Sequence, residues 1–274
     1  MTGIDNCPGR DSRNGYDSHR SLLELHSVSA GYSSSRRNHA EPVLRNIDLS
    51  VGEGELLVLA GPNGSGKTTL LKTAGGLLAP IEGKVTVNGK SISLMKHKER
   101  ASLTALLFQV RETPWPFTVR ETVAQGSFVR HGWLGAETKA DRESVASALE
   151  KAELSALAER PITELSGGEL QRVYIARCIA QGAAFLLLDE PENNLDLKYA
   201  NMILSLLSDL VREGRGAIVS LHDLRLASRF AHRIVLLSQD GTISAAGPPA
   251  EVLKEEIISK VYDISEELVR SLIL

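Results

Sequence analysis

The sequence predicts an α/β fold with a mostly parallel sheet covered by helices on both faces. Three observations carry this. Strand-length apolar runs, Leu56-Leu57-Val58-Leu59-Ala60 and Ala183-Ala184-Phe185-Leu186-Leu187-Leu188 among them, alternate with amphipathic helical segments. Strands that alternate with helices along a chain build a parallel sheet buried on both sides. A glycine-rich loop from Gly61 leaves the first of these runs and opens a helix. A helical block from about Thr118 to Leu165 interrupts the strand-helix rhythm and reads as an inserted subdomain.

The elements follow in order. Residues 1 to about 20 are polar, glycine-rich and mixed in charge, the composition of a poorly ordered tail. Residues 22–30 and 43–51 alternate well enough for paired strands, with a solvated loop at Ser33 to Asn38. Glu55 to Ala60 is a buried strand, and the helix from about Gly66 stops at Gly75-Gly76. Lys84 to Val87 followed by Asn88-Gly89 is a hairpin signal, and Leu103 to Phe108 is another strand. Within the helical block, Asp141 is placed to cap a helix whose Val145, Ala148, Leu149 and Ala152 share a face. The rhythm then resumes: helix from Ser166, strand 184–188, helix 197–212, strand 216–221, helix 223–230 and strand 233–237. Ile203, Leu206, Leu207 and Leu210 form the stripe of the helix 197–212, which Gly214 terminates. Asp240-Gly241 marks a second hairpin turn, and the amphipathic stretch 249–274 packs on the core.

Composition excludes several classes. Apolar residues make up 42% and charged residues 24%, which is the balance of a globular chain. The net charge of −3 and a pI near 6.2 provide no basic footprint for nucleic acid. Cys7 and Cys178 do not make a disulfide framework, so a reducing compartment is expected, with Cys178 as a small apolar filler. No run approaches the roughly 18 apolar residues that span a bilayer, and the N-terminus lacks the apolar core of a signal peptide. Any membrane role is therefore expected to come from a separate partner chain.

The chemistry concentrates in a few segments. Gly61-Pro62-Asn63-Gly64-Ser65-Gly66-Lys67-Thr68-Thr69 follows a buried strand and opens a helix, the context in which such a loop cradles phosphate. Its glycines turn backbone N–H groups inward, and the helix N-terminus adds partial positive charge. Lys67 is expected to reach the β- and γ-phosphates, and Thr68 to place its hydroxyl on Mg²⁺. Asp189 and Glu190 end an apolar strand, and the carboxyl edge of a parallel sheet is where that loop lies. Asp189 is expected to hold Mg²⁺, and Glu190 to orient or deprotonate the attacking water. His222 ends another strand at the same edge and is expected to contact the γ-phosphate. Gln109 likewise follows a strand, where its amide suits a Mg²⁺ ligand. Tyr32 is a candidate to stack on a base, with core packing the alternative. Ser166-Gly167-Gly168-Glu169 starts a helix and offers a second anion site at its N-terminus. That site belongs to the insert and is expected to point away from the chain's own glycine loop. A two-fold head-to-tail dimer would join the two half-sites.

Taken in this order, the set resembles the nucleotide-binding subunit of ABC transporters, from about residue 22 to 262. The P-loop, Gln109, the signature Leu165-Ser166-Gly167-Gly168-Glu169, the Walker B pair Asp189-Glu190, the D-loop Asn193-Asn194-Leu195-Asp196 and His222 carry the resemblance. It implies a P-loop NTPase (RecA-like) core with an antiparallel β subdomain and an α-helical subdomain at about 112–170. Residues 263–274 then form an extension packed on the core. It also implies ATP as nucleotide, Mg²⁺ as metal, ATP-driven dimerisation, and a position for Gln109 beside the cleft where the membrane subunit docks. The runs Pro116 to Val123, Gly132-Trp133-Leu134-Gly135, Leu165 to Arg172 and Leu221-His222-Asp223-Leu224 look like the iron-siderophore, haem and cobalamin importers. The implied function is an ATPase peripheral to the cytoplasmic face of the membrane, driving a separate permease and served indirectly by a substrate-binding protein. An exporter subunit, or a soluble ABC-type ATPase on DNA or ribosomes, are the alternatives. Glu169 stands where glutamine is commoner, and Glu192-Asn193-Asn194 where threonine or serine is typical. Trp115, between two prolines, either faces the membrane partner or joins the core.

Overall fold

Short apolar strands with no polar break build the centre of the molecule. The computed structural model describes residues 21–33, 40–108, 116–131, 137–193 and 195–273. Ten strands are assigned among them: β1 Leu22–Ser33, β2 Ala40–Gly52, β3 Leu56–Ala60, β4 Glu82–Val87, β5 Lys90–Ser91, β6 Thr104–Leu107, β7 Phe185–Asp189, β8 Gly216–Ser220, β9 Arg233–Leu237 and β10 Ile243–Gly247. They form two sheets, ordered β2-β1-β4-β5 and β10-β9-β3-β8-β7-β6. The smaller sheet is antiparallel. In the larger, β6, β7, β8, β3 and β9 run parallel, and β10 closes the edge antiparallel.

Successive strand residues point to opposite faces, and here both faces are covered. Leu56, Val58, Leu186, Leu188, Ala217 and Val219 enter a core shared with the helices of the insert and of the C-terminal half. Leu57, Leu59, Phe185, Leu187 and Ile218 enter a second core with Leu23, Leu25 and Val85 of the antiparallel sheet and Leu70 and Leu71 of the helix Lys67–Ala74. All five residues of β3, β7 and β8 are buried. Burial on both faces is why these strands read as continuous apolar runs.

Both hairpin turns form where expected, with Asn88 and Gly89, and then Gly241, at positive φ. The helix Lys67–Ala74 ends at Gly75, as its sequence predicts. One helix start differs from expectation. Thr138, not Asp141, is the N-cap of the helix Lys139–Lys151, and Asp141 lies at its third position. The two side chains bond each other's backbone N–H, the reciprocal arrangement of a capping box. Thr118 with Glu121, and Ser166 with Glu169, repeat it. Cys178 is buried, and burial pushes its thiol up to about 11, in keeping with a filler role. The N-terminal tail with Cys7, the segment with Gln109 and Trp115, Gly132 to Gly135, and Asn194 lie outside the described residues.

The C-terminal stretch forms the helices Pro249–Val252, Glu255–Tyr262 and Glu266–Ile273, which bury Val252, Ile258 and Val269 against the core. No helix among the described residues is long and apolar enough to cross a membrane.

Candidate active site

Strand order gathers the chemistry. β3 ends in the glycine loop, β8 beside it ends before His222, and β7 beside that ends in Asp189. In the parallel register, Ser220 is paired with both Leu59 and Asp189, so the three strands stop at one level.

The loop takes positive-φ conformations, which only glycine accepts without strain, at Gly61, Gly64 and Gly66, and two of these positions also lack room for a side chain. Gly61 has φ +143°, and a Cβ there would meet the Leu237 carbonyl oxygen at 2.4 Å. Gly66 has φ +100°, and its Cβ would meet Leu44 at 2.6 Å. Lys67 is 6% exposed, and its Nζ donates to the carbonyl oxygens of Gly61 at 2.8 Å and Pro62 at 3.1 Å. Burial pulls its ammonium below the ordinary value, and the negative charges of Glu190, Asp189 and Glu192 oppose that pull. The Ser65 hydroxyl is buried without a hydrogen-bond partner. The Gly61 N–H donates to the hydroxyl of Tyr262 at 3.0 Å.

The acidic pair is held by neighbours. Thr68 donates its hydroxyl to Asp189 Oδ2 at 2.6 Å, and Ser220 donates its own to Asp189 Oδ1 at 2.6 Å. The same Ser220 oxygen accepts the Glu190 N–H at 2.9 Å. Glu190 sits at φ +50°, a region costing a non-glycine residue about 1–3 kcal/mol that its surroundings must repay. The Glu190 carboxylate is held at both oxygens. Oε1 lies 2.5 Å from His222 Nε2, and Oε2 accepts from Asn193 Nδ2 at 3.2 Å. The structure thus brings Lys67, Thr68, Asp189, Glu190 and His222 to one edge.

Two other candidates sit apart from that cluster. Tyr32 is 48% exposed at the end of β1, which excludes the core-packing alternative. Its hydroxyl accepts from Lys72 Nζ, which also lies 5.5 Å from its ring centroid. Ser166 caps the helix Gly167–Gln181 as expected, but a carboxylate already occupies that end. Glu169 accepts the Ser166 N–H at 2.8 Å and its hydroxyl at 2.7 Å, and these bonds hold the Glu169 carboxyl below its ordinary value. Gly168 faces Leu195 and Tyr199 of the D-loop region.

The sequence reading missed three residues that the fold brings in. Ser220 is completely buried and bonds both members of the acidic pair. Replacing it with alanine removes one charge-assisted and one neutral bond, and leaves two partners unsatisfied. Ser220→Ala is expected to lower unfolding free energy by about 2–3 kcal/mol, read by denaturant titration; an unchanged midpoint contradicts the bridging role. Tyr262 meets the loop from a helix distant in sequence, which no local pattern signals. The third is Glu192, whose Oε1 accepts the His222 N–H at 3.0 Å.

Burial raises the Glu192 carboxyl above its ordinary value of 4.5, against the lowering effect of the His222 N–H. A raised folded-state pKa gives stability that is full below the unfolded value and is lost as pH rises through the folded value. Glu192→Gln does not ionise, so its melting temperature should gain on the wild type as pH rises from about 4 to 8. Parallel pH profiles of the two proteins would contradict this.

Comparison with known proteins decides the family. The model of the ABC transporter family matches residues 44–193. The chain belongs to the ABC transporter family. It is the ATPase component of such a system. The hemin import ATP-binding protein HmuV of Streptomyces coelicolor is 42% identical over 223 residues, covering 81% of this chain and 78% of the relative. The iron(3+)-hydroxamate import ATP-binding protein FhuC of Bacillus subtilis is 40% identical over 228 residues, covering 83% and 84%. Among solved structures, a metal-chelate type ABC transporter in an inward-facing conformation aligns with a TM-score of 0.76 at 25% identity, over 89% of each chain. A dimeric ABC cassette in a post-hydrolysis state with ADP and Pi aligns with a TM-score of 0.72 at 31% identity, over 83% of this chain and 98% of that one. The P-loop NTPase core, with its added antiparallel sheet and helices, is the ABC ATPase fold.

Proposed function

We propose that this chain binds Mg-ATP at the edge formed by β3, β8 and β7 and hydrolyses it to drive a separate permease that imports an iron-siderophore or haem. The observation that carries the reading is the continuous bonded path Thr68–Asp189–Ser220–Glu190–His222 beside the glycine loop. The names of the relatives, hemin and ferric hydroxamate importers, favour those cargoes over cobalamin within the importer group.

Each residue has a role on this reading. The N–H groups of Gly64, Gly66, Lys67, Thr68 and Thr69 cradle the phosphates, and a phosphate oxygen competes with the Gly61 and Pro62 carbonyls for the Lys67 ammonium. Thr68 and Asp189, already facing each other, are the hard oxygen donors that Mg²⁺ takes alongside nucleotide phosphates. Bound there, the ion supplies positive charge against the triphosphate. Gln109 is a further ligand on the same ion. Glu190 accepts the proton of the attacking water, and His222 orients that carboxylate and meets the γ-phosphate. Tyr32, exposed on the rim, stacks on adenine. The N-terminus of the signature helix serves the nucleotide of a second copy in a head-to-tail dimer. The free N–H groups of Gly167 and Gly168 face that phosphate while Glu169 retains Ser166. Residues 21–262 are the ATPase domain, about 112–170 its helical part, and 263–274 an extension. The dimer is peripheral to the cytoplasmic face of the membrane, and the substrate-binding protein acts through the permease.

Co-expression with a permease of the iron-chelate importer class from the same organism tests the assignment. The chain is expected to co-purify with it. The reconstituted complex should raise its ATPase rate when binding protein loaded with a ferric chelate or haem is added. A complex whose ATPase ignores every loaded binding protein contradicts the importer reading.

A further inference from the structure

Glu192 has no part in the scheme above, yet its placement is costly. Its Oε2 is buried with no hydrogen-bond partner, and its Oε1 has the backbone N–H of His222. A buried carboxyl oxygen without a partner opposes folding, so the side chain does not serve stability. What it achieves is geometric. The loop after β7 grips one histidine twice: Glu192 holds the backbone N–H, and Glu190 Oε1 meets the ring at 2.5 Å. Ser220 laces the same two strand ends below them.

We propose that Glu192 is a positioning residue for hydrolysis: by accepting the His222 N–H it fixes the loop after β8 so that the His222 ring faces Glu190. The inference rests on the roles given above to Glu190 and His222. The acceptor oxygen does the positioning, so a side chain of the same reach with a carbonyl in that place serves in its stead. Without an acceptor, the His222 N–H gains nothing from this geometry and the ring loses its fixed approach to Glu190. Glu192 hydrogen-bonds the loop after β8 and reaches Lys67 only through its charge, so the hydrolytic step slows far more than nucleotide binding changes.

Steady-state hydrolysis of Mg-ATP by the full chain, with ATP affinity measured by titration, tests this. Glu192→Ala, and the similarly long but acceptor-free Glu192→Met, should lower kcat about 10-fold, the scale of one lost hydrogen bond at a reacting group. KM and Kd for ATP should stay within about twofold. Glu192→Gln should recover most of that loss. In a His222→Ala background, adding Glu192→Met should cost nothing further, because the effect runs through the histidine. Wild-type kcat in Glu192→Met overturns the inference. So does a loss in Glu192→Gln equal to that in Glu192→Met, a KM that rises as kcat falls, or full additivity with His222→Ala. Glu190→Gln separates the two levels. If it hydrolyses ATP normally, the active-site reading fails; if it is inactive while Glu192→Met turns over normally, only the positioning role fails.

Discussion

Glu190→Gln is expected to bind ATP with near wild-type affinity and to hydrolyse it about 10²–10⁴-fold more slowly, the range that a positioned general base contributes. Glutamine is the informative replacement because the backbone here is held at φ +50°, and an isosteric side chain adds no new demand on it. The amide oxygen can still accept from Asn193, and the amide N–H can donate to His222 Nε2 where Oε1 stood, so the geometry of the acidic loop survives. Only the ability to take a proton from water is lost. The nucleotide then remains intact, and the composite site is expected to stay closed. Size exclusion with ATP and Mg²⁺ should show a dimer that the wild type holds only transiently. Near-normal turnover would remove Glu190 from the reaction. A monomer under those conditions would count against a site shared between copies.

Lys67→Ala is expected to weaken ATP binding by about 10–100-fold, from the loss of charge-assisted hydrogen bonds worth about 1.5–3 kcal/mol. The magnitude follows from placement. The ammonium is nearly enclosed, its protons are directed at two loop carbonyls, and the negative charges of Asp189, Glu190 and Glu192 act on it. No other lysine or arginine lies within the glycine loop. Titration with ATP, read by calorimetry, checks it; unchanged affinity would show that the loop amides alone hold the triphosphate. The two variants fail differently. One loses the chemical step with the nucleotide retained, and the other loses the nucleotide itself.

Local features were legible in the sequence. The two hairpins, the glycine that ends the helix Lys67–Ala74 and the apolar strands all appear where residue type alone places them. Each is decided by neighbours a few positions apart. Asp141 alone suggests a cap, but threonine three residues before an acidic residue is the spacing of a capping box, and Thr138 is the residue that caps. Ser220 was invisible for a different reason. A serine ending a strand is unremarkable until the residues beside it in space are known. Tyr262 reaches Gly61 across 201 positions, and its helix reads only as amphipathic.

By itself the sequence determined the phosphate cradle. Glycines that admit positive φ, a lysine and a threonine at the start of a helix are contiguous, and their chemistry needs no distant partner. The sequence expected Asp189, Glu190 and His222 at the edge of that cradle; the tertiary structure alone decided which atoms meet there. Thr68 meets Asp189 across 121 positions and Ser220 meets Asp189 across 31, because β8 lies between β3 and β7 and parallel crossovers carry the chain back to the same edge each time. Spacing along a chain does not encode that strand order. It is set by which apolar faces bury one another, and the separation of Glu190 from His222 follows from it.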